Sequence, residues 1–140
     1  MSKPVLIDTS VLVAAVRQSE AAHRVCLQAL SAVPVPLPTT WPVLAETLYL
    51  LRRERLAVAG VINLVRRGII RIEPLEPTFL DWYEGFAATY SDREVDLADG
   101  SLVHVAERLK TNAILTLDRR DFSVYRIPGG GAFRILPEPM

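Results

Sequence analysis

The sequence predicts an α/β protein: a three-layer α/β/α sandwich built on a central, mostly parallel sheet. Three observations predict it. Short apolar runs rich in β-branched residues alternate with segments of helical spacing, which is the pattern of βα units. Half of the residues are hydrophobic and 23% are charged, enough apolar material to fill a core between layers. The 140 residues show no internal repeat, low-complexity tract or linker, so residues 1–140 are expected to form a single domain.

Each element has its own signal. Val5-Leu6-Ile7 is a strand that ends at Asp8, and Thr9 or Ser10 then caps a helix carrying Val11, Leu12, Ala15 and Val16 at helical spacing. A second helix is expected from about Glu20 to Ala32, with Val25, Cys26, Ala29 and Leu30 inward. Val35-Pro36-Leu37-Pro38 is extended, its prolines suiting a strand end or a sheet edge. Thr39-Thr40-Trp41-Pro42 places a cap before a first-turn proline and opens a helix through about Arg53. Ala57 to Arg67 is a helix stopped by Gly68, Ile69 to Leu75 a strand, and Thr78 to Tyr90 a helix. Asp96 to Lys110 is the best amphipathic helix of the chain. Ala113 to Leu117 is a strand ending at Asp118, and Pro128-Gly-Gly-Gly131 turns into a last strand, Ala132 to Leu136.

Composition excludes several classes. No apolar run approaches the ~20 residues of a membrane span, and the start reaches Asp8 too soon for a signal peptide, so a soluble, cytoplasmic protein is expected. A single cysteine, Cys26, excludes an internal disulfide and a Cys-rich zinc site. Sixteen basic against sixteen acidic residues leave no field of one sign to recruit nucleic acid. Only Lys3 and Lys110 are lysines, against fourteen arginines. That bias fits forked recognition of phosphate, and it fits a GC-rich genome equally well.

Ligands of an open parallel sheet bind beyond the carboxyl ends of its strands, and two strands here end in an acid, Asp8 and Asp118. Each alone reads as a helix cap; together they place two carboxylates on one edge. Glu46 is the only charge in Trp41–Leu51, a stretch apolar almost all round, so burial of its carboxylate is expected, against either an arginine or a metal. Asp96 and Asp99 have the spacing of a helix cap and first-turn acid, or Asp99 points into the cleft of Asp8. Four acids from separate segments repel unless a cation neutralises them. An all-oxygen set suits Mg²⁺ or Mn²⁺ rather than zinc, and such ions serve phosphate-ester chemistry.

Leu6-Ile-Asp8-Thr-Ser10, the helix bearing Glu46, Asp96-Leu-Ala-Asp99-Gly-Ser-Leu-Val and Ile114-Leu-Thr-Leu-Asp118-Arg-Arg-Asp-Phe122 resemble, in this order, the PIN-domain ribonucleases. The VapC-type toxins of bacterial toxin–antitoxin modules are the nearest in pattern, and the resemblance spans about Pro4 to Pro137. It implies a PIN-like fold and a Mg²⁺- or Mn²⁺-dependent endoribonuclease that cuts RNA by attack of water, leaving a 5′-phosphate and a 3′-hydroxyl. Carried over, Asp8 and Asp99 are the metal ligands, Glu46 completes the site or helps activate water, and Asp118 is the fourth catalytic acid. Thr9, Ser10 and Thr116 sit where hydroxyls could orient these carboxylates, while Asp96 is either a cap or an outer support. A VapB-type antitoxin partner and a homodimer are implied in the same way. Two positions depart from the pattern: Gly100 stands where Ala is common, weakening the helix by up to ~1 kcal/mol, and Asp121 stands where His is common.

Other signals read as structural. His23 and His104 are isolated, Cys26 lies in an apolar stripe, and Pro128–Gly131 lacks the Lys-Ser/Thr of a phosphate loop. Arg52, Arg53 and Arg55 suit a helix C-terminus or an RNA phosphate. Arg119 and Arg120 suit a phosphate or a salt bridge to Asp121. Apolar residues in surplus of one core (Val11, Leu12, Val16, Leu27, Leu30, Leu48, Leu51) would line a partner groove. Two other functions compete: a non-enzymatic interaction module using that groove, and a phosphohydrolase with Asp8 as nucleophile. The second lacks the Asp usually found two residues on, where Ser10 stands, and any lysine after Lys110.

Overall fold

The computed structural model describes residues 3–139; Met1, Ser2 and Met140, the ends of the expected single domain, lie outside the described residues. In chain order the elements are β1 (Leu6–Ile7), α1 (Thr9–Val16), α2 (His23–Ala32), β2 (Leu37–Thr39), α3 (Trp41–Leu50), α4 (Arg55–Arg66) and β3 (Ile70–Ile72). They continue with α5 (Phe79–Thr89), α6 (Leu97–Leu109), β4 (Ala113–Leu115), α7 (Arg119–Phe122), β5 (Arg126–Ile127), β6 (Gly131–Ala132) and β7 (Arg134–Leu136).

The centre is parallel, as expected. β4 lies between β1 and β7, with Ile114 opposite Leu6 on one side and Ile135 on the other. β2 and β3 form a second parallel pair, Leu37 opposite Ile70. It joins the first through a side chain, the Thr39 hydroxyl donating to the Ile7 carbonyl at 3.0 Å. Leu6, Ile7, Ile114 and Leu115 are fully buried, as strands covered on both faces must be. Burying each such side chain contributes about 1.5–3 kcal/mol. Helices α1, α3 and α6 pack together beside the sheet, α2 and α4 against α1, and α5 against α6, completing an α/β/α sandwich.

Several elements differ from expectation. β4 ends at Leu115, so Leu117 is exposed and Asp118 instead caps the short helix α7, which the apolar pattern did not mark. The expected last strand is broken at Phe133. Gly131–Ala132 pairs antiparallel with β5, across a turn in which Gly129 (φ 73°) and Gly131 (φ 76°) take the left-handed conformation. α3 was expected to be substantially buried, yet only its Val43, Leu44 and Thr47 are buried, with Leu48 packed against the core, while Trp41 and Tyr49 are more than 60% exposed. Its uniform apolarity therefore conceals an outer face, and Glu46 lies on the exposed part. Of the apolar residues expected to line a partner groove, Val11, Leu12 and Leu51 are entirely buried in the core, Val16, Leu30 and Leu48 are packed against it, and Leu27 alone of the seven is exposed.

Candidate metal centre

Asp8 leaves the end of β1 and is pinned there by its backbone N–H, which donates to the Leu115 carbonyl at 3.0 Å. It occupies the N-cap position of α1, but its carboxylate caps nothing. Instead Oδ2 accepts from the Thr116 hydroxyl at 2.8 Å and from Ser10 at 3.4 Å. Ser10 and Thr116 are within 3.3 Å of each other. They also receive the backbone N–H groups of Leu117 and Asp118, so two hydroxyls tie the ends of β1 and β4 together. Thr9 has a different task, its hydroxyl donating to the Val43 carbonyl and joining α1 to α3.

Asp99 enters from the first turn of α6. The capping is done by Asp96, exposed, whose Oδ1 accepts the Asp99 N–H at 2.7 Å. This frees the Asp99 side chain to turn inward, where Oδ2 accepts from the Tyr125 hydroxyl at 2.9 Å. Asp118 serves partly as a cap, Oδ1 taking the Asp121 N–H at 3.0 Å. Thus the capping explanation accounts for Asp96 and for one oxygen of Asp118, and for neither Asp8 nor Asp99.

Asp99, Asp118 and Asp121 each bring a carboxylate oxygen within 4.8 Å of the other two. Asp8 is buried nearby and adds its charge to that felt by Asp99. Glu46 is close enough for its charge to act on Asp8, although its expected burial is not observed: α3 turns that position to solvent. No lysine or arginine forms an ion pair with Asp8, Glu46, Asp99 or Asp118 among the described residues. Arg93 pairs instead with Asp121 at 3.0 Å.

The electrostatic consequence is large. Burial pushes Asp8 up to about 6, against the Thr116 hydrogen bond and with help from the charges of Glu46 and Asp118. Asp99 is pushed up to about 8, first by burial and then by Asp96 and Asp8. Asp121 is raised as well, by burial and by Asp118. Carboxylates held at such a cost to ionisation need a cation to become anionic together. The donors are all oxygen, and the nearest histidine by sequence, His104, packs among Phe79 and Trp82 instead. The acidic set, with Asp99, Asp118 and Asp121 closest together and Asp8 buried beside them, fits a hard divalent ion.

Two features of the site have no motif in the sequence. Tyr125 is fully buried, and its signal was only the i, i+3 apolar spacing with Phe122. Asp121 looked like a departure and proves to be part of the acidic trio, its Arg93 partner lying 28 residues away in the chain. Arg119, expected near phosphate or Asp121, instead donates to the carbonyls of Ile135 and Pro137 and fastens α7 to β7. Arg120 is exposed beside Asp121. His23 and Cys26 are structural, the former bonded to the Ala14 carbonyl at 2.7 Å and the latter in the core.

Residues 5–128 match the PIN domain family. A curated relative, Ribonuclease VapC26 of Mycobacterium tuberculosis, is 30% identical over 135 residues, covering 94% of this chain and 99% of the relative. Among solved structures, the Mycobacterium tuberculosis VapC20, a sarcin–ricin-loop-cleaving toxin, superposes with a TM-score of 0.74 at 21% identity, over 83% of this chain and 91% of that one.

Proposed function

The chain belongs to the PIN-domain family as a VapC-type, metal-dependent endoribonuclease, and from that premise we propose that Asp8, Glu46, Asp99 and Asp118 carry its catalysis. One observation supports this most: carboxylates from four segments converge beyond the carboxyl ends of β1 and β4, two of them buried, none of the four paired with a basic side chain among the described residues.

Asp8 and Asp99 would hold the divalent ion, Mg²⁺ or Mn²⁺. When bound, a divalent ion polarises the scissile phosphate and lowers the pKa of water. Ser10 and Thr116 hold Asp8, and Tyr125 holds Asp99, so neither ligand must reorganise as the substrate arrives. Glu46, exposed at the rim, accepts the proton of the attacking water. Attack on phosphorus breaks the bond to O3′, whose electron pair leaves with it and takes up a proton, giving a 5′-phosphate and a 3′-hydroxyl. Asp118 keeps one oxygen on α7 and has a carboxylate oxygen within 4.8 Å of one from Asp99, where it would support a second, weaker ion or act through water.

Kinship with the VapC proteins supports an RNA substrate and a VapB-type antitoxin partner. We extend the reading to a homodimer in the cytoplasm, with residues 1–140 acting as one PIN-like domain. No helix among the described residues is long and apolar enough to cross a membrane. The family assignment favours this reading over an interaction module or an aspartyl-phosphate enzyme.

The test is a thermal melt of metal-free protein with and without millimolar Mn²⁺, wild type beside Asp8→Asn, followed by RNA cleavage. A rise of several degrees in wild type alone, and loss of cleavage in Asp8→Asn and Asp99→Asn, is expected. Full cleavage by either variant under identical conditions would remove these residues from catalysis.

A further inference from the structure

Asp8 and Asp99 share an arrangement that their roles as ligands do not require. Each has one carboxylate oxygen taken by a hydroxyl, Oδ2 of Asp8 by Thr116 at 2.8 Å and Oδ2 of Asp99 by Tyr125 at 2.9 Å. Neither hydroxyl is free to leave. Thr116 is 1% exposed, and its oxygen also accepts the Asp118 N–H. Tyr125 is 0% exposed, with its ring edge-to-face against Phe122 at 5.3 Å and Tyr90 at 5.2 Å, and tilted against Phe86 at 5.2 Å. A ring caged on three sides keeps its hydroxyl where it is. In both acids the other oxygen, Oδ1, accepts no side-chain hydrogen bond among the described residues and is the one left for an ion.

A carboxylate with one oxygen so engaged serves as a one-oxygen ligand. That difference separates ions of equal charge. Ca²⁺ takes six to eight oxygens at longer distance and readily uses both oxygens of a carboxylate, whereas Mg²⁺, and Mn²⁺ with it, favours six ligands in an octahedron and single carboxylate oxygens. We propose that the Tyr125 and Thr116 hydroxyls act as latches that hold Asp99 and Asp8 to one oxygen each, and so make the centre select a small six-coordinate ion against Ca²⁺. The proposal rests on the reading of Asp8 and Asp99 as ligands. Tyr125 and Thr116 are positioning residues, since they act through the carboxylates.

The selectivity is measured on metal-stripped full-length protein, by the loss of the free Mn²⁺ electron-paramagnetic-resonance signal on titration and by Ca²⁺ competition for bound Mn²⁺. Wild type should prefer Mn²⁺, and Tyr125→Phe, which keeps the ring and its packing, should lower the Mn²⁺:Ca²⁺ affinity ratio by about tenfold, the scale on which outer partners tune a site. Thr116→Val should move the ratio the same way, and it carries the test if Tyr125→Phe does not fold. A merely structural role would change melting temperature and leave the ratio alone. An unchanged ratio in a folded variant that still binds Mn²⁺ overturns the latch and leaves the metal site standing; absence of Mn²⁺ binding in wild type overturns both.

Discussion

Gly100 lies against the ring of Tyr83 so closely that a Cβ at that position would stand 2.7 Å from Tyr83 Cδ1 and 2.8 Å from Cε1. The glycine follows Asp99 in the first turn of α6, where α5 crosses it, and Phe86 stands 3.4 Å from the same point. What reads in sequence as a weakened helix is thus a requirement of close approach. Gly100→Ala should gain up to ~1 kcal/mol of helix propensity and lose about 1–3 kcal/mol to overpacking, a net destabilisation. In a Tyr83→Ala background the ring is gone, and the same substitution should become neutral or stabilising. Denaturant unfolding of the four proteins in the cycle measures the coupling; equal effects in both backgrounds would refute the clash.

The raised carboxyls make metal-free stability depend on pH in an unusual direction. Asp8 at about 6 and Asp99 at about 8 bind protons in the folded protein that the unfolded chain, near 3.8, has already released. Between these limits the folded state holds more protons, so stability is full below about 3.8, falls as pH rises and levels off above about 6 for Asp8 and about 8 for Asp99. Mn²⁺ requires the ionised carboxylates, so its stabilisation should grow over the same window. Melting with chelator should show this decline in wild type and a shallower one in Asp99→Asn. A wild-type profile parallel to that of Asp99→Asn would contradict the assigned shift.

The order of the longer strands and helices and the positions of Asp8 and Asp99 were legible because those signals are local: a short apolar run, an acid at its end, a cap three residues before a first-turn acid. Depth was less legible. The apolar composition of α3 suggested substantial burial, and only tertiary packing shows that Trp41, Tyr49 and Glu46 face out. Tyr125 was invisible as a functional residue, because its hydrophobic spacing explains the ring and says nothing of the hydroxyl on Asp99. The Arg93–Asp121 pair and the trio it borders depend on contacts between segments far apart in the chain, which no single-sequence period records.

The adjacent arginines of α7 should separate by experiment. Arg119 spends its guanidinium on the carbonyls of Ile135 and Pro137, so Arg119→Ala should lower the melting temperature while leaving RNA affinity nearly intact. Arg120 is exposed next to Asp121, and Arg120→Ala should leave melting unchanged while raising KM for RNA and flattening its salt dependence. The reverse assignment of effects would show that the carbonyl contacts of Arg119 do not fasten α7.

Glu46 provides the cleanest division between structure and chemistry. Its side chain is exposed and forms no salt bridge among the described residues, so Glu46→Gln should change stability by no more than about 0.5 kcal/mol. Removing its charge weakens the pull on a cation but also removes one of the repulsions that raise Asp8, so the two effects oppose and Mn²⁺ binding should be little changed. As proton acceptor for water, however, it should contribute about 10²–10⁴ in rate. Single-turnover cleavage should therefore slow by that order at saturating Mn²⁺ and RNA, with KM preserved. A rate within twofold of wild type would show that the water gives up its proton elsewhere, and Asp118, another acid left partly exposed in the cluster, would be the next residue to replace.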